Sequence, residues 1–122
     1  MSRNRTSAKR AGSSFEQATV DYLKKALNQP AVERIPIGGS KDRGDVGNVH
    51  TRAGSLVAVE CKNESTLRIP QYLREAKTEA GHYGALCGVA VVKRRGIGMT
   101  PDRMGEQLVC MTLDDLVRLL LD

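Results

Sequence analysis

Aromatic side chains and long apolar runs are scarce in this chain of 122 residues, and each shortage excludes a class of protein. Aromatic residues make up 3% of the sequence and tryptophan is absent, which argues against a protein that stacks single-stranded bases on aromatic rings. No apolar run approaches the roughly 20 residues that span a bilayer, so no membrane partner is expected. The basic N-terminus lacks the apolar stretch of a secretory signal. The sequence therefore predicts a soluble globular domain.

Cysteine and histidine are also few. The three cysteines, Cys61, Cys87 and Cys110, cannot all pair, and each lies in an apolar, β-like segment. We interpret them as reduced core residues of a cytoplasmic protein, from a prokaryote or from a virus inside its host cell. With only His50 and His82 and no CxxC spacing, a structural zinc site is not expected.

Positive charge exceeds negative charge and is concentrated in two places. The formal net charge is +5, and the first 15 residues contain no acid. A basic arm together with a basic loop is typical of a polyanion-binding protein. The alternative is a solvated tail that aids solubility. The basic residues concerned are Arg3, Arg5, Lys9 and Arg10 in the arm and Lys93, Arg94 and Arg95 in the loop.

Apolar periodicity and turn residues predict an α/β fold with the element order αβββαββα, in which a central mixed β-sheet is flanked by helices. We expect residues 1–12 to form a flexible basic arm and residues 13–122 to form a single domain. The predicted helices are 13–28, 70–83 and 113–121, and the predicted strands are 32–37, 45–51, 55–62, 87–92 and 107–111.

Three charged residues in the predicted hairpin carry most of the chemical information. Glu60 and Lys62 alternate onto one face of an otherwise apolar strand. If the hairpin turn holds two or four residues, Asp45 lies opposite Glu60 or Lys62 on that face, with Cβ atoms about 4.5–5.5 Å apart. A three-residue turn at residues 52–54 would move Asp45 to the other face unless a β-bulge compensates.

Two carboxylates this close repel each other unless a hard cation lies between them. Mg²⁺, or Mn²⁺ in its place, takes oxygen ligands, polarises a phosphate and lowers the pKa of a bound water. Lys62 adds positive charge that stabilises the developing phosphorane or helps deprotonate the water. The alternative is a surface salt bridge across a hairpin, worth about 0–1 kcal/mol.

One spacing in the sequence resembles the PD-(D/E)XK nuclease signature: Gly44-Asp45, then fourteen residues, then Glu60-Cys61-Lys62. Gly44 stands where the motif has proline. Residues 10–16 and the run from 83 to 93 resemble archaeal-type Holliday junction resolvases, and the resemblance covers roughly residues 9 to 95. It implies a restriction-endonuclease-like fold and a divalent-metal-dependent homodimer that makes paired nicks in four-way DNA junctions. No small-molecule cofactor is implied.

The resemblance also implies residue roles. The catalytic set is Glu16, Asp45, Glu60 and Lys62, and the metal-binding set is Asp45, Glu60, Glu16 and Cys61. Glu16 has an alternative role, because Ser13 and Glu16 also fit a capping box at the start of a helix.

Three further polar residues are candidates for DNA contact. Lys41 and Arg43 precede Asp45 and are placed to meet phosphates, or they are solvated loop charges. Gln71 lies where related nucleases carry a polar neighbour of the active site, or it is a surface glutamine of the helix. Two other functions stay open: another PD-(D/E)XK nuclease that cuts duplex, fork or flap DNA, and a non-catalytic junction-binding module.

Overall fold

The computed structural model describes residues 4–36 and 42–122, and in these ranges it is an α/β fold with a five-stranded mixed sheet. The predicted order αβββαββα is confirmed, with an added 3₁₀ turn at Met104–Glu106. The elements are α1 (Arg5–Leu27), β1 (Glu33–Arg34), β2 (Val46–Gly47), β3 (Val57–Lys62), α2 (Ile69–Tyr83), β4 (Cys87–Val92), β5 (Leu108–Cys110) and α3 (Leu113–Leu121).

Helix α1 starts eight residues before its predicted start at Ser13. Asn4 caps it, because the Asn4 Oδ1 accepts a 2.8 Å hydrogen bond from the Ser7 backbone N–H. Residues 5–12 of the predicted basic arm are therefore part of helix α1. The boundary was missed because these two turns carry charge and small residues without the apolar periodicity that marks the rest of the helix.

The strands follow the order β1-β2-β3-β4-β5, and only β3 and β4 run parallel. Helix α2 connects these two strands and packs closely against β4, where a Cβ on Gly88 would lie 2.1 Å from the Ala76 carbonyl oxygen. The two faces of the sheet have different cores. Val20 of α1 packs with Val59 and Val89 on one face, and Tyr72 of α2 packs with Ala90 and Val92 on the other.

The hairpin between β2 and β3 has a three-residue turn and a compensating bulge. Thr51 donates its N–H to the Ser55 carbonyl at 2.8 Å, so residues 52–54 form the turn. Val46 pairs with Val59, whereas His50 pairs with Leu56. Three residues on the first strand therefore face two on the second, and the extra residue is accommodated at Asn48, whose φ is 65°. The bulge shortens β2 relative to the predicted strand and gives the register in which Val46 pairs with Val59.

Among the described ranges, no helix combines the length and the apolar character needed to cross a membrane.

Candidate active site

Asp45 lies next to the Val46–Val59 pair, where its N–H donates a 2.8 Å hydrogen bond to the Val59 carbonyl, and its carboxylate interacts with that of Glu60. The Asp45 Oδ2 accepts a 2.8 Å hydrogen bond from the Cys61 backbone N–H. Burial and the charge of Glu60 raise the pKa of Asp45 to about 8. Burial and the like charge of Glu60 both disfavour the ionised form of Asp45, and a cation between the two carboxylates would favour it.

Glu60 lies on the α2 face of the sheet, since it pairs with Ala90 in β4. Its side chain is buried, and its Oε2 has no hydrogen-bond donor among the described residues. Burial and contact with Glu79 raise the pKa of Glu60 to about 9. An anionic Glu60 at neutral pH therefore requires more positive charge than this side of the sheet supplies.

Lys62 lies on the same face, and its Nζ is 3.6 Å from the Glu60 Oε1 and 2.6 Å from the Glu75 Oε2. Burial acts to lower the pKa of Lys62, but the Glu75 hydrogen bond and the negative charges of Glu60, Glu75 and Glu64 together outweigh it, so the pKa of Lys62 is raised. Gln71 donates a 2.9 Å hydrogen bond to Glu75. Gln71 thus supports the partner of Lys62, and its side chain is not simply solvated.

Glu16 lies on α1, and its position inside the helix decides between the two roles considered for it. The capping-box interpretation is wrong, because Asn4 caps the helix and Ser13 lies well inside it. The Glu16 carboxylate instead forms an ion pair with the Arg34 guanidinium, with 2.7 Å between the nitrogen and the oxygen. Its negative charge contributes to the raised pKa of Asp45, which puts it near the Asp45 carboxylate.

Cys61 lies on the other face of β3. Its side chain packs against the apolar cluster that contains Val20 and Val59, and burial raises the pKa of its thiol. Strand alternation explains this, because residues next to Glu60 and Lys62 point to the opposite side. The thiol is therefore removed from the proposed metal-ligand set, and the contribution of Cys61 is its backbone N–H.

Two carboxylates at this site were missed by sequence reasoning. Ligand oxygens of Asp42, Glu60 and Glu79 lie within 4.8 Å of one another. Glu79 was identifiable in principle, because it lies between Ala76 and Ala80 on the buried stripe of α2, where a carboxylate is costly. Asp42 gives no comparable signal, since it lies in a polar loop.

The candidate DNA-contacting residues fall into different environments. Arg5, Lys9 and Arg10 are exposed on α1, Arg43 lies 5.8 Å from the centre of the Tyr83 ring, and Arg95 is exposed. Two loop residues have other contacts: the Lys93 ammonium donates to the Arg94 and Ile97 carbonyls, and the Arg94 guanidinium donates to the Glu106 carbonyl at 3.1 Å. Arg3 and Lys41 lie outside the described residues.

Searches of protein-family models, curated proteins and solved structures find no match to this chain. Any function must therefore be argued from the site itself. The site offers carboxylate oxygens, an ammonium and two buried oxygens, on Glu60 and Glu79, that have no hydrogen-bond partner within residues 4–36 and 42–122. Carboxylate oxygens are ligands that hard, oxygen-seeking cations prefer.

Proposed function

We propose that this chain is a divalent-metal-dependent DNA endonuclease of the PD-(D/E)XK superfamily that resolves four-way junctions by paired nicks. The observation that carries the proposal is the interaction of the Asp45 and Glu60 carboxylates, with the Lys62 ammonium 3.6 Å from the Glu60 Oε1. The five-stranded mixed sheet with flanking helices is compatible with the restriction-endonuclease-like fold that the proposal includes.

Asp45 and Glu60 would hold Mg²⁺, or Mn²⁺ in its place, with Glu16 at the margin of the site. The fit rests on the chemistry of the donors: both are carboxylates, both have raised pKa values, and the Glu60 Oε2 lacks a donor among the described residues. When bound, the ion would polarise a phosphate oxygen and lower the pKa of a water.

The chain's own groups would orient and stabilise the reacting phosphate. The Cys61 N–H holds the Asp45 carboxylate in place. The Lys62 ammonium, fixed between Glu60 and Glu75, supplies positive charge where negative charge develops on the phosphate. Glu75 acts through Lys62 and is a positioning residue.

DNA binding would depend on phosphate contacts made by the exposed basic residues. Arg5, Lys9 and Arg10 extend along the first two turns of α1, and Arg43 precedes Asp45. Contacts of this kind carry little sequence information and weaken steeply with salt. We expect the Lys9→Ala and Arg10→Ala variants each to flatten the dependence of junction affinity on salt by about one released counterion.

The proposal includes a homodimer, because a four-way junction has approximate two-fold symmetry and paired nicks require two sites. Helix α3 has an exposed apolar stripe at helical spacing, formed by Leu113, Leu116, Val117 and Leu120. A second copy would cover this stripe. The Leu120→Glu variant is expected to be monomeric in light scattering and to lose paired nicking.

The decisive experiment is a cleavage panel that compares four-way junction, linear duplex, fork, flap and single strand in Mg²⁺. We expect junctions to be cut and the Asp45→Asn variant to bind them without cutting. Equal cutting of linear duplex would favour another nuclease of the superfamily. Binding without cleavage in either Mg²⁺ or Mn²⁺ would favour a non-catalytic junction-binding module.

Two further variants separate catalytic from structural roles. Lys62→Ala is expected to fold and bind junctions without nicking them. Glu16→Gln is expected to lower nicking with little loss of stability, because Glu16 does not cap α1. Loss of folding in either variant would show that the residue is structural.

A further inference from the structure

Glu79 is a buried carboxylate that the roles proposed above do not use. It lies on the face of α2 that packs on the sheet and is 4% exposed, and its Oε2 has no hydrogen-bond donor among the described residues. It meets Glu60, which is 8% exposed and whose Oε2 also lacks a donor. Two buried carboxylates that face each other, each with one oxygen that lacks a donor, form a position that a cation would stabilise.

Asp42 provides a third group of oxygens at this position. Ligand atoms of Asp42, Glu60 and Glu79 lie within 4.8 Å of one another. Oxygens on opposite sides of a Mg²⁺ ion are about 4.2 Å apart and those around Ca²⁺ about 4.6–5.2 Å apart. The spacing therefore suits a single divalent ion after small side-chain adjustments.

The backbone around Asp42 is held against α2. The Asp42 Oδ1 accepts a 2.9 Å hydrogen bond from the Gly44 N–H, and the Asp42 carbonyl oxygen lies 2.9 Å from the His82 Nδ1. The other carboxylate oxygen of Asp42 stays available as a ligand. The three candidate ligands thus come from a loop, a strand and a helix that are tied together locally.

Positive side chains among the described residues do not neutralise the carboxylates of Asp42, Glu60 and Glu79. Among the described residues, Lys62 is the cation paired with Glu60, and its shorter contact is to Glu75. One divalent ion at Asp45 would offset two negative charges and leave the Asp42 and Glu79 charges uncompensated.

We propose that Asp42, Glu60 and Glu79 form a second divalent-cation site beside the Asp45–Glu60 pair, with Glu60 shared between the two sites. This ion would tie the loop before β2 to α2 and keep the Glu60 carboxylate ionised. The inference rests on the proposed function for its catalytic relevance, but the cation binding itself can be tested without DNA.

The test is a Mn²⁺ titration of metal-free protein followed by electron paramagnetic resonance, with circular dichroism to verify folding. We expect the wild-type chain to bind a second ion that Glu79→Gln loses. Asp42→Asn is expected to lose it too, and this variant keeps the acceptor for the Gly44 N–H. Asp114→Asn, which removes an exposed carboxylate at the start of α3, is expected to bind as the wild type does.

Two outcomes would overturn the second site. A wild-type chain that binds one ion, with Glu79→Gln unchanged, would show that Glu60 and Glu79 instead share a proton. A second ion retained in both Glu79→Gln and Asp42→Asn would place it elsewhere. Neither result affects the nuclease proposal, because that proposal depends on junction cleavage. A chain that binds both ions without cutting DNA would overturn the nuclease proposal and leave the second cation site standing.

Discussion

The Tyr83 hydroxyl accepts a 3.0 Å hydrogen bond from the backbone N–H of Asn48, which joins the end of α2 to the bulge before β3. Asn48 is in the left-handed region with φ of 65°, and its side-chain amide donates to the Ala31 carbonyl at 2.9 Å. These contacts hold the extra residue of the hairpin. Because a one-residue slip would move every side chain to the opposite face, they also keep Asp45 beside Glu60.

Removing the Tyr83 hydroxyl is expected to weaken the bulge. In Tyr83→Phe the half-buried Asn48 N–H loses its acceptor, which should lower the free energy of unfolding by about 1–2 kcal/mol. Urea denaturation measures this. Tyr22→Phe is the matched control, since Tyr22 is 37% exposed. Equal stability of the two variants would show that water replaces the tyrosine and that the register has another anchor.

Gly44 stands where the PD-(D/E)XK motif that the sequence resembles has proline, and its backbone conformation excludes proline. Its φ is 97°, which proline cannot adopt, and a Cβ would lie 2.8 Å from the Val59 carbonyl oxygen. Gly44→Ala is expected to lower the free energy of unfolding by at least about 1–3 kcal/mol and to weaken Mn²⁺ binding at Asp45. Gly98→Ala, at a position with open space around the added methyl group, should change stability by less than about 1 kcal/mol. Matching losses in both variants would contradict this account.

Stability without metal is expected to fall as the pH rises. The pKa values of Asp45 and Glu60 are raised to about 8 and about 9 in the folded chain, whereas both groups ionise near pH 4 when it is unfolded. The folded state therefore holds more protons than the unfolded state between these pH values. The stability that the two groups provide is complete below about pH 4 and is lost as the pH rises through about 8 and 9.

Urea denaturation between about pH 5 and about pH 9 in a metal chelator measures this slope. Excess Mg²⁺ should flatten it, because a bound cation favours the ionised carboxylates. In the double variant Asp45→Asn, Glu60→Gln, the fall of stability with pH should be smaller even without metal. A stability that rises over this pH range in the chelator would contradict the assigned directions.

Glu75 is expected to act on nicking through Lys62. In Glu75→Gln the 2.6 Å ion pair becomes a weaker hydrogen bond, and the pKa of Lys62 should fall. Nicking at neutral pH should drop about tenfold, equivalent to about 1.4 kcal/mol of barrier, and the upper limb of the pH–rate profile should move down in pH. Junction affinity should not change. Glu106→Gln, at an exposed carboxylate in the 3₁₀ turn, is the control, and an unshifted pH profile in Glu75→Gln would rule out the positioning role.

Local patterns in the sequence predicted most elements of the fold. The boundaries of β4 and α3 agree with prediction because the Cys87–Val92 run is continuously apolar and because Leu113–Leu121 follows a threonine cap. The start of α1 was missed because helix propensity and the Asn4 cap, without apolar periodicity, extend it. Periodicity reports which side chains are buried, so it does not detect exposed helical turns.

The sequence by itself determined that Glu60 and Lys62 share a face, since alternation along a strand is a local property of the backbone. Only the tertiary structure decided that Asp45 joins them, because its position depends on a three-residue turn and on a bulge held by Tyr83 from a distant helix. The same holds for Glu79, which the packing of α2 on the sheet brings to Glu60, and for Asp42, whose loop contacts His82 of α2. Contacts between residues far apart in sequence depend on how the elements pack, and local pattern does not encode that packing.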